Sequence, residues 1–185
     1  VVDGSTTAWR DGWYVVNSNV TIGNLVTVSG TVHLILADNA SLTVNGGIKV
    51  AEGNSFSVYA QSVGKNMGTL TATSENGAGI GGRNGDRNGS SCGNITIHGG
   101  SVAATGGDEA AGIGGGKGGS GGNITINGGN VTATSGDEAA GIGGGQSGSG
   151  GNITINGGNV TATSVTLAAG IGGGQSGSGG NITIN

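Results

Sequence analysis

A tandem repeat of 29 residues is the feature that most restricts how this chain can fold. The pentad Gly-Asn-Ile-Thr-Ile begins at positions 93, 122, 151 and 180, a constant step of 29 residues. The tetrad Ala-Gly-Ile-Gly places its isoleucine at positions 80, 113, 142 and 171, with steps of 33, 29 and 29 residues. The longer first step indicates an insertion in a loop, around residues 83–91. A fixed period of this length is typical of solenoids, in which each repeat packs against its neighbours.

Each repeat contains short segments with the alternation of a half-buried β-strand. Residues 123–127 read Asn-Ile-Thr-Ile-Asn and residues 130–134 read Asn-Val-Thr-Ala-Thr. A period of two predicts strands with the isoleucines, the valine and the alanine facing inward and the threonines facing outward. A third segment, residues 139–143, carries one isoleucine among alanines and glycines. Gly-Gly pairs at 128–129 and 143–144 suit sharp corners, because glycine readily adopts positive φ.

A single repeat cannot fold alone. Its three isoleucines and one valine would contribute roughly 6–12 kcal/mol of burial, whereas ordering the backbone costs about 1–2 kcal/mol for each residue. Stacking resolves the deficit, because each strand then pairs with its counterpart ~4.8 Å away in the next turn. We therefore predict an all-β fold, a single-stranded parallel β-helix (β-solenoid) with about one coil per 29-residue repeat. Stacking would also align Asn94, Asn123, Asn152 and Asn181 into a hydrogen-bonded ladder.

Residues 1–68 lack the repeat but carry segments of the same chemistry. Strand-like runs occur at 20–22, 25–28, 32–36, 41–44, 48–50 and 56–59. We predict that residues 1–68 form an N-terminal cap and irregular coils, and that residues 69–185 form the Gly-rich repeats of the same continuous domain. Trp9, Trp13 and Tyr14 lie where a solenoid needs large side chains to cover an open end. The sequence stops at Asn185 in mid-repeat, so we expect further repeats or domains in the parent protein.

Composition excludes several classes of protein. The chain has 47 glycines and no proline among 185 residues, which excludes collagen and polyproline arrays. Charged residues make up 9%, and β-branched runs are frequent, which argues against disorder. The net charge of −4 and the scattered cations argue against a nucleic-acid partner. No segment approaches the ~20 apolar residues needed to span a bilayer, so we predict no membrane insertion.

The acidic residues do not form the clusters that polysaccharide lyases and hydrolases need. Asp108 and Glu109 recur as Asp137 and Glu138, but the next copy reads Val-Thr at 165–166. We interpret these acids as solvated turns, and a weak calcium site stays open as the alternative. We predict no catalytic residue, no bound metal and no cofactor.

Three other residues that could carry chemistry have simpler interpretations. Cys92 occupies a slot that later copies fill with glycine, which favours a small tolerated side chain over a reactive thiol. Lys117 lies in a Gly-rich stretch without the Gly-Lys-Ser/Thr ending of a phosphate loop. His98 stands where later copies carry Asn127 and Asn156, which favours a surface or ladder role over metal binding.

Outward threonines form the most specific candidate site. The Thr-x-Thr segments would present hydroxyls ~7 Å apart along a strand and ~4.8 Å apart between coils. A flat, regular threonine grid is the kind of surface that ice-binding solenoids use. We call a row of equivalent residues along the solenoid a rank. The copy at 102–105 reads Val-Ala-Ala-Thr, so one rank of threonines is interrupted there. The candidate ligand-binding residues of this face are Thr71, Thr73, Thr132, Thr134, Thr161 and Thr163.

Carbohydrate recognition is the other ligand-binding alternative. Proteins commonly bind sugar rings by stacking exposed aromatic side chains against them. Aromatic residues occur only in the first third of the chain, so a sugar site would lie there and not on the repeats. The candidate sugar-stacking residues are Trp9, Trp13, Tyr14 and Tyr59.

A resemblance supports the same reading. Residues 69–73 (Thr-Leu-Thr-Ala-Thr), 77–82 (Gly-Ala-Gly-Ile-Gly-Gly) and 93–100 (Gly-Asn-Ile-Thr-Ile-His-Gly-Gly) resemble the Gly-rich repeats of large secreted or wall-anchored bacterial surface proteins. The similarity covers roughly residues 30–185. It implies a β-helical stalk or carbohydrate-binding region in an extracellular setting, and it carries no catalytic motif.

We therefore expect a non-catalytic structural or adhesive segment of a bacterial surface protein. Its partner would be a glycan or another surface protein. Ligand binding, of carbohydrate or of ice, is the alternative, and a polysaccharide-active enzyme is the least favoured one.

Overall fold

The protein is described by a computed structural model covering residues 1–85 and 90–185, so part of the predicted insertion at 83–91 lies outside the described residues. Regular secondary structure in these two ranges consists of eighteen β-strands. The strands are β1 (Ala8–Val16), β2 (Val20–Ile22), β3 (Val26–Leu36), β4 (Ser41–Val44), β5 (Ile48–Lys49), β6 (Ser55–Ala60), β7 (Thr69–Thr73), β8 (Ile80–Gly81), β9 (Asn94–Ile97), β10 (Ser101–Thr105), β11 (Ile113–Gly114), β12 (Asn123–Ile126), β13 (Asn130–Thr134), β14 (Ile142–Gly143), β15 (Asn152–Ile155), β16 (Asn159–Thr163), β17 (Ile171–Gly172) and β18 (Asn181–Ile184). Each regular repeat thus supplies three strands, one for each predicted segment.

The strands stack into three columns, which we name faces A, B and C. Face A contains β5, β8, β11, β14 and β17, face B contains β6, β9, β12, β15 and β18, and face C contains β2, β4, β7, β10, β13 and β16. Strand β3 belongs to both A and B, because it pairs with β5 through Val26–Thr27 and with β6 through Thr31–Leu36. All pairs of named strands are parallel and join successive coils. The fold is a parallel β-helix, which confirms the predicted fold class.

Equivalent residues of successive repeats lie directly over one another. In face B, Ile95, Ile124, Ile153 and Ile182 are register partners. The first three are at most 1% exposed, whereas Ile182 is 42% exposed. Ile182 lies in β18, which has a paired strand on one side only, so half of its packing surface is uncovered. The predicted stacking and the inward direction of these isoleucines are confirmed.

Glycine is required at the second position of three short strands of face A, β8, β11 and β14, whereas β5 carries Lys49 there. Gly114 has a φ of +138°, and a Cβ atom at this position would lie 1.9 Å from the carbonyl oxygen of Gly143 in the next coil. Gly81 and Gly143 have φ values of +141° and +136° and the same 1.9 Å approach to the glycine above. Both the backbone conformation and the close contact between coils therefore exclude any side chain.

Strand β1 was not predicted, because the sequence around it breaks the alternation of a regular strand. Its pairing with β3 shifts register between Arg10 and Gly12, and Gly12 has a φ of +136°. The irregularity turns Trp9 into the core, where it is 0% exposed and its ring centroid lies 5.8 Å from that of Phe56. Residues 8–16 are therefore part of the first coil of the solenoid and not only a cap over it.

The sheets continue across the predicted boundary at residue 68. Strand β4 pairs with β7 and strand β6 pairs with β9. One cluster of buried side chains extends from Val2 to Ile155. The irregular and the regular coils therefore share one core.

Candidate functional site

The six threonines predicted as a ligand-binding face lie together on face C. Pairing of β7, β10, β13 and β16 places Thr71, Ala103, Thr132 and Thr161 in one rank, and Thr73, Thr105, Thr134 and Thr163 in the next rank. Thr134 is half-buried, and the other five predicted threonines are exposed. The two ranks run along the solenoid, with ~4.8 Å between coils.

The structure extends this grid with three threonines that were not predicted as part of it. Thr21 and Thr43 continue the first rank, because β2 pairs with β4 and β4 pairs with β7. Both lie in irregular coils, so the 29-residue period could not reveal their alignment. Thr105 completes the second rank, and it was visible in the sequence as the last residue of Val-Ala-Ala-Thr. Ala103 is the one interruption in either rank among the described residues.

Face B carries two ladders of asparagine side chains. The Nδ2 atoms of Asn123, Asn152 and Asn181 each donate to the Oδ1 atom of the preceding asparagine at 2.8 Å. Asn94 begins this ladder and donates to the Ser55 Oγ at 3.1 Å. The predicted ladder is confirmed, and its amides use each other as partners.

The second ladder begins at a histidine. Asn127 Nδ2 lies 3.4 Å from His98 Nδ1, Asn156 donates to Asn127 at 2.8 Å, and Asn185 donates to Asn156 at 2.7 Å. This placement fits the ladder role proposed for His98. Between the two ladders, Thr96, Thr125, Thr154 and Thr183 form a further rank, which the sequence interpretation did not single out.

The predicted sugar-stacking residues occupy different environments. Trp13 is 61% exposed, and its ring lies 4.3 Å from that of His33 at an interplanar angle of 22°. Tyr59 is half-buried and stacks on His98, with centroids 4.4 Å apart and an angle of 8°. These rings cover each other's faces, so a sugar ring would find an open aromatic face at Trp13 and mainly ring edges at Tyr59.

Trp9 and Tyr14 depart from the expected exposed position. Trp9 is fully buried, and its Nε1 donates to the carbonyl of Thr6 at 3.0 Å. Tyr14 is half-buried, its ring stacks on that of Trp9 at 5.5 Å, and its hydroxyl accepts a hydrogen bond from the Arg10 backbone at 2.8 Å. Packing against β3 and the irregularity at Gly12 turn these two rings away from the surface, so neither presents a face to a ligand.

The repeated acidic pairs lie in turns between faces C and A. Glu109 and Glu138 have φ values of +58° and +59°. A carboxylate oxygen of Glu109 lies 2.7 Å from Lys117 Nζ, and Glu138 contacts the side-chain amide of Gln146. Each of these two glutamates therefore has a side-chain partner later in its own coil. No group of three or more His, Cys, Asp or Glu side chains suited to a metal occurs within residues 1–85 and 90–185.

Cys92 is buried at 3% exposure, and burial raises the pKa of its thiol to about 12. The thiol is therefore protonated at neutral pH, in keeping with a packing role. The described part of the chain also contains no helix long and apolar enough to cross a membrane.

Comparison with known protein families identifies the periodic part of the chain. Four segments match a family model described as beta helix repeat, at residues 66–86, 95–117, 124–146 and 153–175. The chain contains a β-helix repeat region. Each of the last three matched segments begins in face B, passes through face C and ends after face A, so the matched unit is one coil of the solenoid. Comparisons with curated proteins and with solved structures found no match.

Proposed function

We propose that this chain is a non-catalytic structural and adhesive segment of a bacterial extracellular surface protein. The observation that carries the proposal is the in-register stacking of successive coils over one continuous core. Each coil shares its buried isoleucines and its backbone hydrogen bonds with the coils beside it, so bending between coils would break both. A body of this kind suits the rigid display of a binding surface.

Two further features support this role. The Gly-rich repeats resemble those of secreted or wall-anchored bacterial proteins. In the turns, Glu109 pairs with Lys117 and Glu138 contacts Gln146. These two glutamates therefore do not form the pair of carboxylates that acid–base catalysis on a glycosidic bond uses. The partner of the adhesive segment would be a glycan or another surface protein.

Surface labelling tests the proposed location and role. Antibodies raised against the chain should label intact, unpermeabilised cells of the source bacterium, and brief protease treatment of those cells should remove the label. Labelling that appears only after permeabilisation would overturn the extracellular role. Release of reducing ends from a panel of plant and bacterial polysaccharides by the purified chain would overturn its non-catalytic character.

Face C favours ice binding as a second candidate function. The observation behind it is the alignment of threonine hydroxyls in two ranks on one parallel sheet. In-register strands repeat a hydroxyl every ~4.8 Å along the solenoid, so the grid offers regularly spaced hydrogen-bonding groups to a layer of bound water. Ala103 is the one position where a hydroxyl is missing from the first rank.

Thermal hysteresis and inhibition of ice recrystallisation test this second function. Thr132→Tyr should abolish activity because the larger ring projects from the grid, whereas the matched change Thr125→Tyr on face B should leave it intact. Ala103→Thr should raise activity because it completes the rank. Equal effects of the two tyrosine substitutions, or no effect of Ala103→Thr on an active chain, would overturn the role of face C.

A further inference from the structure

A polar pocket lies at the corner where face C leads into face A in the first three coils. Its volume is about 410 Å³. The side chains that give it its chemistry are Asn24, Asn45, Glu75, Asn76 and Arg83, and Gly23 forms part of its wall.

The pocket arises from corners of unequal length. Residues 23–25 connect β2 to β3 and residues 45–47 connect β4 to β5, whereas the third corner is longer and comprises residues 74–79. The first two corners stack closely, since the backbone of Asn45 donates to the carbonyl of Ile22 at 2.9 Å. The longer corner supplies the wall that contains Glu75 and Asn76, and the space between it and the short corners is the pocket.

The amides of this pocket differ from the asparagine amides of the two ladders on face B. On face B, asparagine side chains pair with each other at 2.7–2.8 Å. The side chains of Asn24, Asn45 and Asn76 make no hydrogen bond to any residue in the described ranges 1–85 and 90–185. Three amides therefore reach one pocket with both their donor and their acceptor groups available.

Two opposite charges line the same pocket without pairing. Among the described residues, neither Glu75 nor Arg83 has an ion-pair partner within 4.0 Å. Their charges cancel, so the pocket has no net preference for an anion or a cation. The space between them is open to a ligand that can donate to the carboxylate and accept from the guanidinium.

This set of groups selects a particular ligand chemistry. A sugar hydroxyl both donates and accepts, and amide, carboxylate and guanidinium groups satisfy both directions. A volume of about 410 Å³ falls in the range of small-molecule pockets. Leu25, which is half-buried, adds an apolar patch for the C–H groups of a sugar ring. A uronic acid would be attracted by Arg83 and repelled by Glu75, and an amino sugar the reverse, so neither charged sugar gains a net electrostatic advantage over a neutral one.

We propose that this corner pocket binds a short neutral saccharide, as one unit of the glycan that the adhesive segment recognises. The inference rests on the proposed adhesive function and names its ligand and its site. It places recognition at a corner of the irregular coils, away from the threonine grid of face C and from Trp13 on face B.

Substitution of Gly23 tests the pocket with little risk to folding. A Cβ atom at Gly23 meets no heavy atom within 4 Å, and its φ lies outside the positive range that requires glycine. Gly23→Trp should therefore fill the pocket while the coil stays intact. Gly179→Trp is the matched control, because Gly179 has the same open surroundings at another corner of the solenoid. Equal urea midpoints for both variants and the wild type would establish that they fold.

Binding would be measured by titration calorimetry and on a glycan array. The probes are neutral mono- and disaccharides of glucose, galactose and mannose, with galacturonate as the acidic comparison. We expect the wild type and Gly179→Trp to bind a neutral saccharide, Gly23→Trp to lose at least tenfold in affinity, and Asn76→Ala to lose about tenfold. Binding of galacturonate in preference to every neutral sugar would overturn the ligand assignment.

A further variant separates this site from the exposed tryptophan. If Trp13→Ala abolishes saccharide binding while Gly23→Trp retains it, the sugar stacks on Trp13 and the pocket inference is wrong, although the adhesive function stands. A chain that labels the cell surface but binds none of the saccharides also overturns the pocket alone. Failure of surface labelling removes the proposed function itself, so the two failures are distinguishable.

Discussion

Gly114→Ala tests the close stacking of coils on face A. The φ of +138° at Gly114 costs an alanine about 1–3 kcal/mol. The added Cβ would also lie 1.9 Å from the carbonyl oxygen of Gly143, and relieving this contact requires the next coil to shift. Overpacking of that kind costs typically 1–3 kcal/mol. We expect the free energy of unfolding to fall by about 2–6 kcal/mol, a large part of the stability of a typical domain.

Two control variants separate these causes. Gly172 has nearly the same φ, +137°, but the nearest atom to its added Cβ would be the Cβ of Ala169 at 3.2 Å. Gly172→Ala should therefore lose about 1–3 kcal/mol, chiefly from backbone strain, because the Ala169 methyl group needs to move by only a few tenths of an ångström. Gly23→Ala meets open space at an ordinary φ, so its unfolding free energy should stay unchanged or rise by about 0.4–1 kcal/mol.

Urea unfolding followed by far-ultraviolet circular dichroism would measure the series, with the slope checked for each variant. Hydrogen exchange of the Gly115 amide, which donates to the Gly143 carbonyl at 2.8 Å, would report the local opening directly. If Gly114→Ala and Gly172→Ala destabilise the protein equally, the contact between coils contributes nothing, and the proposed reason for the glycine column is wrong.

Three other predictions follow from burial and hydrogen bonding. Ile124→Ala should lower the free energy of unfolding in urea by about 2–5 kcal/mol, because Ile124 is 0% exposed. Ile182→Ala should lower it clearly less, because Ile182 is 42% exposed, and equal losses would contradict the stacking. The Cys92 thiol, with its pKa raised to about 12 by burial, should resist Ellman's reagent at mildly alkaline pH in the folded protein and react once urea unfolds it; rapid reaction of the folded chain would show that the thiol is accessible. The pKa of Asp3 is lowered from 3.8 to about 2, chiefly by the hydrogen bond from the Ser5 hydroxyl. The N-terminal turn should therefore be fully formed above pH 3.8 and should be lost as the pH falls through about 2. An NMR titration of the Ser5 amide would check this, and a midpoint near 3.8 would refute it.

The regular coils were predictable in detail because the same alternation of apolar and polar residues recurs in each repeat. The inward direction of Ile124 and the ladder at Asn123 followed from the alternation and the 29-residue step, and the structure confirms both. Strands of equal sequence that pair in parallel must lie in register, since a slip by one residue would turn every isoleucine to the solvent.

The first coils could be predicted only in outline. Most of their strands were visible from alternation, but β1 was not, because the register shift near Gly12 interrupts the pattern. The same shift decides that Trp9 is buried while Trp13 is exposed, although both are aromatic residues of one strand. From composition alone, Trp9 and Trp13 were equal candidates for sugar stacking.

The sequence by itself determined that this chain is a stacked solenoid, because its period and alternation admit one arrangement that buries the isoleucines. Only the tertiary structure decided which polar groups remain available for a ligand. Asn24, Asn45 and Asn76 share no period, and they line one pocket because a longer corner stacks beside two short ones at one edge. Periodicity predicts contacts between equivalent residues, whereas a contact between residues of unlike corners depends on how far each corner projects in space.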